Sequence, residues 1–313
     1  MTRVVPFVHT LTADEESAWV HAIAKTLPEI AVRPLSDLTD DECMTAKVAI
    51  VANPDPAELV RLPALTWIQS LWAGVERLVQ QTPPHVAIVR MVDPQLAETM
   101  AEAVLAWTLY LHRDMPRYAS QQRSRLWRQH DVPRAADRCI GILGLGNMGQ
   151  KAAQRLTTNG FSVVGWSRSP KQAPGIETFH GADGLIEVLK RADILVILFP
   201  LTDATKGLIN ASALTQMKPE ASLINFGRGA IVDTAAMVSR LNERFLDHAV
   251  LDVFAIEPLP EGSPLWSHEH VTVLPHISAP TNVMTASKIV ADNLQMFFQH
   301  GRIPAAVDRR QGY

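Results

Sequence analysis

The sequence has 313 residues, 47% of them hydrophobic and 19% charged; that is enough apolar material for the cores of about two domains and excludes a disordered chain. A formal net charge of −3 gives no basic excess for a phosphate backbone or an anionic bilayer, so neither nucleic acid nor membrane is an expected partner. No apolar stretch approaches the ~18 residues of a membrane span, and the opening run is interrupted by Pro6 before it reaches the length of a secretory signal, so the expected setting is cytoplasmic.

In chain order, short β-like runs at residues 48–51, 65–68 and 86–89 alternate with helix-like segments and proline-bearing turns, the pattern of a first α/β unit. A helical pattern over 95–115, rich in Ala, Leu, Glu and Trp, is expected to stop at Pro116 and to bridge to a second unit. Residues 114–138 are basic and polar, contain Trp127, show no periodicity beyond their first turns, and read as an excursion or contact arm. Six apolar runs follow, at 140–143, 162–166, 194–199, 222–226, 249–254 and 271–274, separated by helix-forming segments. Strands joined by helical crossovers make a doubly wound parallel sheet, so the fold class is α/β. A last helix is expected over about 286–299, after Pro280. Cys43 and Cys139 are distant and belong to no Cys/His cluster, so neither a disulfide framework nor a metal site is signalled. Cys139 opens an apolar run and reads as a core residue.

The run Cys139-Ile140-Gly141-Ile142-Leu143 leads directly into Gly144-Leu145-Gly146-Asn147-Met148-Gly149, and a helical segment over 150–157 follows. This is G-x-G-x-x-G between a strand and a helix, where the glycines allow a tight turn and close approach of a pyrophosphate to the backbone. Three glycines in an ordinary βα turn would share the spacing; the strand–turn–helix setting favours a dinucleotide loop. The next strand ends Val164-Gly165-Trp166-Ser167-Arg168-Ser169. An NAD site places a carboxylate about 20 residues past the loop for the ribose 2′-hydroxyl, whereas here a guanidinium is flanked by two hydroxyls, a set suited to a phosphate dianion. NADP is therefore the expected cofactor, NADPH over NADH, with Lys171 a possible second cation; a solvated turn arginine is the plainer alternative.

Ligands of a doubly wound sheet bind outside the carboxyl ends of its strands. Arg228 follows the fourth of the six runs in Asn225-Phe226-Gly227-Arg228-Gly229, Glu257 lies just past the fifth, and His276 follows the sixth in Pro275-His276-Ile277-Ser278. All three are expected on the cofactor's side of the sheet. Reducing a 2-oxo acid needs a cation to orient the carboxylate and polarise the ketone, a proton donor for the developing alkoxide, and a group that keeps the donor protonated. Arg228, His276 and Glu257 supply one of each, Glu257 accepting from the second imidazole nitrogen and favouring imidazolium. Taken singly, a core histidine or an exposed loop carboxylate would look the same.

These residues resemble the D-isomer-specific 2-hydroxyacid dehydrogenases, and within that family the bacterial glyoxylate/hydroxypyruvate reductases. The general resemblance lies in the glycine loop, Gly227-Arg228-Gly229, Leu251-Asp252-Val253-Phe254, Glu257-Pro258-Leu259-Pro260 and Pro275-His276-Ile277. The narrower one lies in Trp166-Ser167-Arg168-Ser169, Ser263-Pro264-Leu265-Trp266 and Val307-Asp308-Arg309-Arg310-Gln311-Gly312-Tyr313. The likeness covers residues 65–313 and is weaker before. It implies reduction of glyoxylate to glycolate and of hydroxypyruvate to D-glycerate. It also implies a Rossmann nucleotide domain over 99–281, inserted into a smaller flavodoxin-like substrate domain of residues 1–98 and 282–313. Further implications are that Trp72, with the Ala73 and Gly74 amides, contacts the substrate carboxylate; that Asp252 meets the nicotinamide amide; and that Pro200, Leu201, Thr202, Phe226, Gly227 and Ser278 line the cofactor cleft. The family is commonly dimeric, which makes Trp127 a candidate neighbour of the partner's site or a plain interface residue. Two other readings stay open: an NAD-dependent dehydrogenase of the lactate or phosphoglycerate type, which Arg168 without a nearby carboxylate disfavours, and a non-catalytic dinucleotide-sensing scaffold, which the acidic charge balance disfavours.

Overall fold

A proline sits inside the first strand of the computed structural model, which describes residues 3–312. In β1 (Arg3–His9), pairing with one neighbour begins only at Phe7, just past the Pro6 nitrogen that cannot donate. The next elements are α1 (Ala13–Thr26), β2 (Ile30–Pro34), α2 (Asp40–Thr45), β3 (Val48–Ala52), α3 (Pro56–Leu59), β4 (Trp67–Ser70), α4 (Glu76–Gln81) and β5 (Ala87–Val89). These strands form a parallel sheet in the order β2-β1-β3-β4-β5, the flavodoxin-type order. One face packs Val5, Phe7, Ile50 and Trp67 against α1 and the helix Val283–His300, through Trp19, Ile23, Val290 and Leu294. The other covers Val8, Val51, Ile68 and Ile88 with Leu59 and Leu78. Thr12 with Glu15, and Thr39 with Glu42, cap α1 and α2 reciprocally.

The chain forms two compact units, one of residues up to Gln95 and from Thr281 onward, the other Leu96–Pro280. It crosses within α5 (Pro94–His112) and then forms α6 (Met115–Arg123), β6 (Cys139–Leu143), α7 (Asn147–Thr158), β7 (Ser162–Ser167), β8 (Glu177–His180), α8 (Gly181–Arg191), β9 (Ile194–Ile197), α9 (Ala211–Thr215), β10 (Ala221–Asn225), α10 (Thr234–Asn242), β11 (Leu246–Leu251) and β12 (Val271–Val273), before α11 (Val283–His300). Among the described residues the second sheet has seven parallel strands in the order β12-β11-β10-β9-β6-β7-β8. The strand order reverses between β6 and β9, which puts the loop after β6 at the switch point where such sheets bind nucleotides. Ile140, Ile142 and Val196 face Leu156 and Val104 on one side; Leu143, Leu195 and Leu223 face Val188 and Leu241 on the other.

The α/β class and the doubly wound sheet are as the sequence implies; several elements differ. β1 and β2 are absent from the sequence reading, the first disguised by Pro6 and the second a short edge strand ending in Arg33-Pro34. β8, Glu177–His180, is likewise a polar edge strand and adds a seventh to the six expected. Pro116 does not end the long helix: α5 stops at His112, and Pro116 lies in the first turn of α6 after Asp114 at φ 54°, where a missing N–H costs nothing. The front of the expected contact arm is thus helical. Cys139 is only partly buried, at the head of β6, where burial pushes its thiol up. Among the described residues no helix is long and apolar enough to cross a membrane.

Candidate active site

Because every strand of the second sheet is parallel, one register row marks its carboxyl edge: Val273, Leu251, Asn225, Ile197, Leu143, Trp166 and Phe179 lie side by side. Backbone pairing runs one residue further, from Asp252 N to Asn225 O, Leu274 N to Leu251 O and Gly144 N to Trp166 O. Gly144, Ser167, Arg228, Asp252 and His276 all occur within three residues beyond that row, so the sheet delivers them to a common edge.

The glycine loop is built for close approach. Gly144 has φ 106°, and a Cβ at Gly149 would fall inside the Gly144 carbonyl, so the first and third glycines are required by the turn and by helix packing. A Cβ at Gly146 would meet nothing within 4 Å, the open side of the cradle. Gly146 caps α7 without a side-chain acceptor, which leaves the Asn147, Met148 and Gly149 amides at the positive end of a twelve-residue helix. After β7, the buried Ser167 donates from Oγ to the Ser169 carbonyl at 2.7 Å and fixes the turn that carries the exposed Arg168. Lys171 donates to the Leu145 carbonyl at 3.4 Å and so brings a second cation to the glycine loop. Past β9, Thr205 Oγ1 joins the Pro200 carbonyl (2.9 Å) to the Thr202 amide (2.7 Å) and holds 200–202 in a tight turn.

At the other end of the edge, Glu257 and His276 are in contact. Glu257 Oε2 lies 2.7 Å from His276 Nδ1, while Oε1 accepts from the Phe254 amide at 2.8 Å. A carboxylate only accepts, so Nδ1 carries the proton facing it. His276 adopts φ 55°, a left-handed conformation that a non-glycine residue holds only when its surroundings enforce it. Asp252 enforces it: its buried carboxylate accepts from Ile277 N at 2.7 Å and Ser278 N at 2.9 Å, one oxygen each. Arg228, partly buried, follows Phe226 and Gly227, with Nη1 on the Gly227 carbonyl at 2.8 Å. A Cβ on Gly229 would collide with Phe254 and Ala255, so that glycine permits the backbone contact between the Arg228 and Glu257 loops. The buried Ser278 Oγ is without a hydrogen-bond partner, a polar atom left for a ligand.

Residues 71–75 belong to the first unit, between β4 and α4. Ser70 Oγ accepts from the Trp72 amide and donates to its carbonyl, both at 3.0 Å, and Met91 N donates to the same carbonyl. The Trp72 ring packs edge-on against Trp19, 6.3 Å between centroids, so much of it serves the core. Trp127, in the second unit, is 95% exposed, beside a groove lined by Tyr118, Gln121 and Arg125. Sequence reasoning missed the grip of Asp252 on residues 277 and 278 and the reach of Lys171 to Leu145; neither pair is local, and no spacing rule announces them.

A profile of the NAD-binding domain of D-isomer-specific 2-hydroxyacid dehydrogenases matches residues 105–278. The glyoxylate/hydroxypyruvate reductase A of Photorhabdus laumondii is 33% identical over 306 residues, 96% of this chain and 97% of its own. Among solved structures, a D-isomer-specific 2-hydroxyacid dehydrogenase of Xanthobacter autotrophicus, in complex with NADPH and MES, superposes with a TM-score of 0.93 at 34% identity, covering 100% of both chains. An NADPH-dependent glyoxylate/hydroxypyruvate reductase of Sinorhizobium meliloti, in complex with NADP and sulfate, gives 0.90 at 32% identity, covering 99% of this chain and 100% of that one. With one of its domains matched along its length and relatives of this similarity spanning nearly all of it, this chain belongs to the D-isomer-specific 2-hydroxyacid dehydrogenase family.

Proposed function

We propose that this protein is an NADPH-dependent reductase of small 2-oxo acids, converting glyoxylate to glycolate and hydroxypyruvate to D-glycerate. The observation that carries the reading is the 2.7 Å Glu257–His276 pair on the sheet edge that also bears an uncapped glycine loop and the Ser167-Arg168-Ser169 turn. The second unit is the nucleotide domain and the first the substrate domain. NADP fits the residues present: the open side of Gly146 and the free α7 amides suit a pyrophosphate, and the unpartnered Ser278 hydroxyl waits in the same edge. The 147–149 amides would hold the pyrophosphate, and Arg168, Ser167, Ser169 and Lys171 the 2′-phosphate. Pro200, Leu201, Thr202, Phe226 and Gly227 would line the cleft, and each Asp252 oxygen keeps a second lone pair for a carboxamide.

When bound, NADPH supplies the hydride. In the second unit Arg228 orients the 2-oxo acid, its guanidinium fork serving carboxylate and ketone oxygens together; in the first unit the Ala73 and Gly74 amides, beside Trp72, are the proposed donors to a substrate carboxylate. His276, protonated on both ring nitrogens, gives the Nε2 proton to the ketone oxygen as negative charge develops there and is left neutral with its proton on Nδ1, which Glu257 accepts in a hydrogen bond that orients the ring. In a homodimer the partner subunit would cover Trp127, whose exposure is otherwise costly. The test is oxidation of reduced cofactor by purified protein given glyoxylate, hydroxypyruvate or longer 2-oxo acids. NADPH should be consumed faster than NADH at equal concentration. Preference for NADH would overturn the assignment of residues 167–169, and no turnover with any 2-oxo acid would leave only a nucleotide-binding scaffold.

A further inference from the structure

The residues that follow α11 are fastened into the first unit. Val307 N donates to the Ile88 carbonyl at 2.8 Å, beside β5. Two residues on, Arg309 drives its guanidinium into the turn between α4 and β5. Its Nη1 donates to the carbonyls of Val79 at 3.1 Å and Thr82 at 2.9 Å, and its Nη2 to those of Pro83 at 2.9 Å and Val86 at 2.8 Å. Both terminal nitrogens therefore spend both hydrogens on main chain. Asp308 shapes the turn that presents the side chain, accepting from Arg310 N at 2.9 Å and from Gln311 at 3.1 Å.

These carbonyls belong to the last turn of α4 and the loop after it, where a helix has unsatisfied acceptors and negative dipole charge. α4 has six residues, far below the length at which a helix is stable alone, and Val75 at its front carries no side-chain cap. Its position is set from outside. The residues leading into that front are 71–75: Ser70 and Met91 hold Trp72, Val79 N bonds the Val75 carbonyl, and Arg309 holds the far end.

We infer that Arg309 is a positioning residue for substrate: by fastening the rear of α4 it fixes the Ala73 and Gly74 amides at its front. The inference rests on the proposed role of those amides in holding a 2-oxo acid carboxylate. The cofactor cradle lies in the other unit, whereas these four Arg309 bonds stay within the first.

The experiment compares the full-length protein with Arg309→Met and Arg309→Lys. For glyoxylate, KM should rise about tenfold or more in Arg309→Met, as four main-chain carbonyls, three of them in partly buried bonds, lose their donor, while KM for NADPH stays within about twofold. Arg309→Lys, with three donors and no planar fork, should fall between. Hydrogen exchange on the protein without substrate should be faster across residues 71–86 in Arg309→Met and unchanged across 139–149. An unchanged glyoxylate KM in the folded variant overturns the inference, as does an equal rise in both KM values, which marks general loss of structure. If Arg309→Met does not fold, Arg309→Lys carries the same comparison. Should the wild-type protein reduce no 2-oxo acid, the proposed function falls, and the exchange rates alone decide whether Arg309 fastens residues 71–75.

Discussion

Two histidines, one within β11 and one just past the end of β12, stand in opposite situations. His248, inside β11, is 3% exposed and meets Thr272 Oγ1 of β12 at 2.9 Å through Nε2. Burial first, then the charges of His270 and His268, holds its pKa down to about 4. A short way along the same strands, past their carboxyl ends, the His276 side chain is 51% exposed and faces a carboxylate instead of a hydroxyl. Buried beside an uncharged hydroxyl, the first ring is kept neutral; the second stands at the solvent edge of the sheet with a carboxylate on its Nδ1. The imidazole is the same in both, and its neighbours assign the task.

The sharpest break of that comparison is to exchange the two losses. His276→Gln should lower turnover by roughly 10²–10⁴-fold, the range for removing a general acid, with NADPH affinity largely kept. His248→Gln should leave turnover within about twofold, because its ring touches Thr272 and the neighbouring rings of Tyr110 and His270, not the sheet edge. Steady-state kinetics on both variants decide it, and near-normal turnover in His276→Gln removes that residue as the donor.

The second expected effect is in stability against pH. In the unfolded chain His248 takes up a proton near its ordinary value of 6.5, while in the fold it resists until about 4. Stability from this residue is therefore complete above about pH 6.5 and is lost as pH falls toward 4, at about 1.4 kcal/mol per unit and about 3 kcal/mol in all. Denaturant unfolding at a series of pH values should show this slope in the wild-type protein and a flatter one in His248→Gln. Equal slopes would mean that the ring is not held neutral.

The two histidines also mark what is legible in a sequence. The glycine loop, the apolar strand runs and the placement of Arg228, Glu257 and His276 after consecutive strands are local patterns, and they suffice for the α/β class and for the edge on which those residues emerge. The duty of His248 is not legible, since it depends on Thr272, His268 and His270, which reach it only through strand pairing and the loop before β12. The Asp252 contacts to Ile277 and Ser278 span 25 and 26 positions, and those of Arg309 more than 220. Nor do propensities find β1, β2 or β8, where a proline, a Pro-terminated edge and a polar edge strand replace the usual apolar run. Pro116 misleads because the same missing N–H that ends one helix is harmless at the start of the next.

Third in size is Asp252→Asn, four residues past His248 and just beyond the end of β11. The amide offers one acceptor oxygen where the carboxylate offers two, so Ile277 N or Ser278 N faces an NH₂ and loses its partner. That should cost about 1–3 kcal/mol of stability and relax the left-handed His276. Turnover should fall more than NADPH binding, measured as kcat beside cofactor Kd. Equal losses in the two would place Asp252 in cofactor contact alone and remove its hold on the histidine.

The smallest effect tests the neutral site from its partner's side. Thr272→Val keeps the shape and β-branching that β12 requires and deletes only the hydroxyl that meets His248 Nε2 at 2.9 Å. With His248 Nδ1 already buried and unpartnered, the variant leaves the ring without a hydrogen bond on either side. The expected cost is about 1 kcal/mol, the net worth of a neutral hydrogen bond, read from the shift of the unfolding midpoint. Since the hydroxyl carries no charge, the acid-side slope of stability should persist in Thr272→Val while it flattens in His248→Gln. If the slope vanished in both, the hydroxyl rather than burial would be what keeps the ring neutral, and the contrast with His276 would rest on hydrogen-bond partner alone.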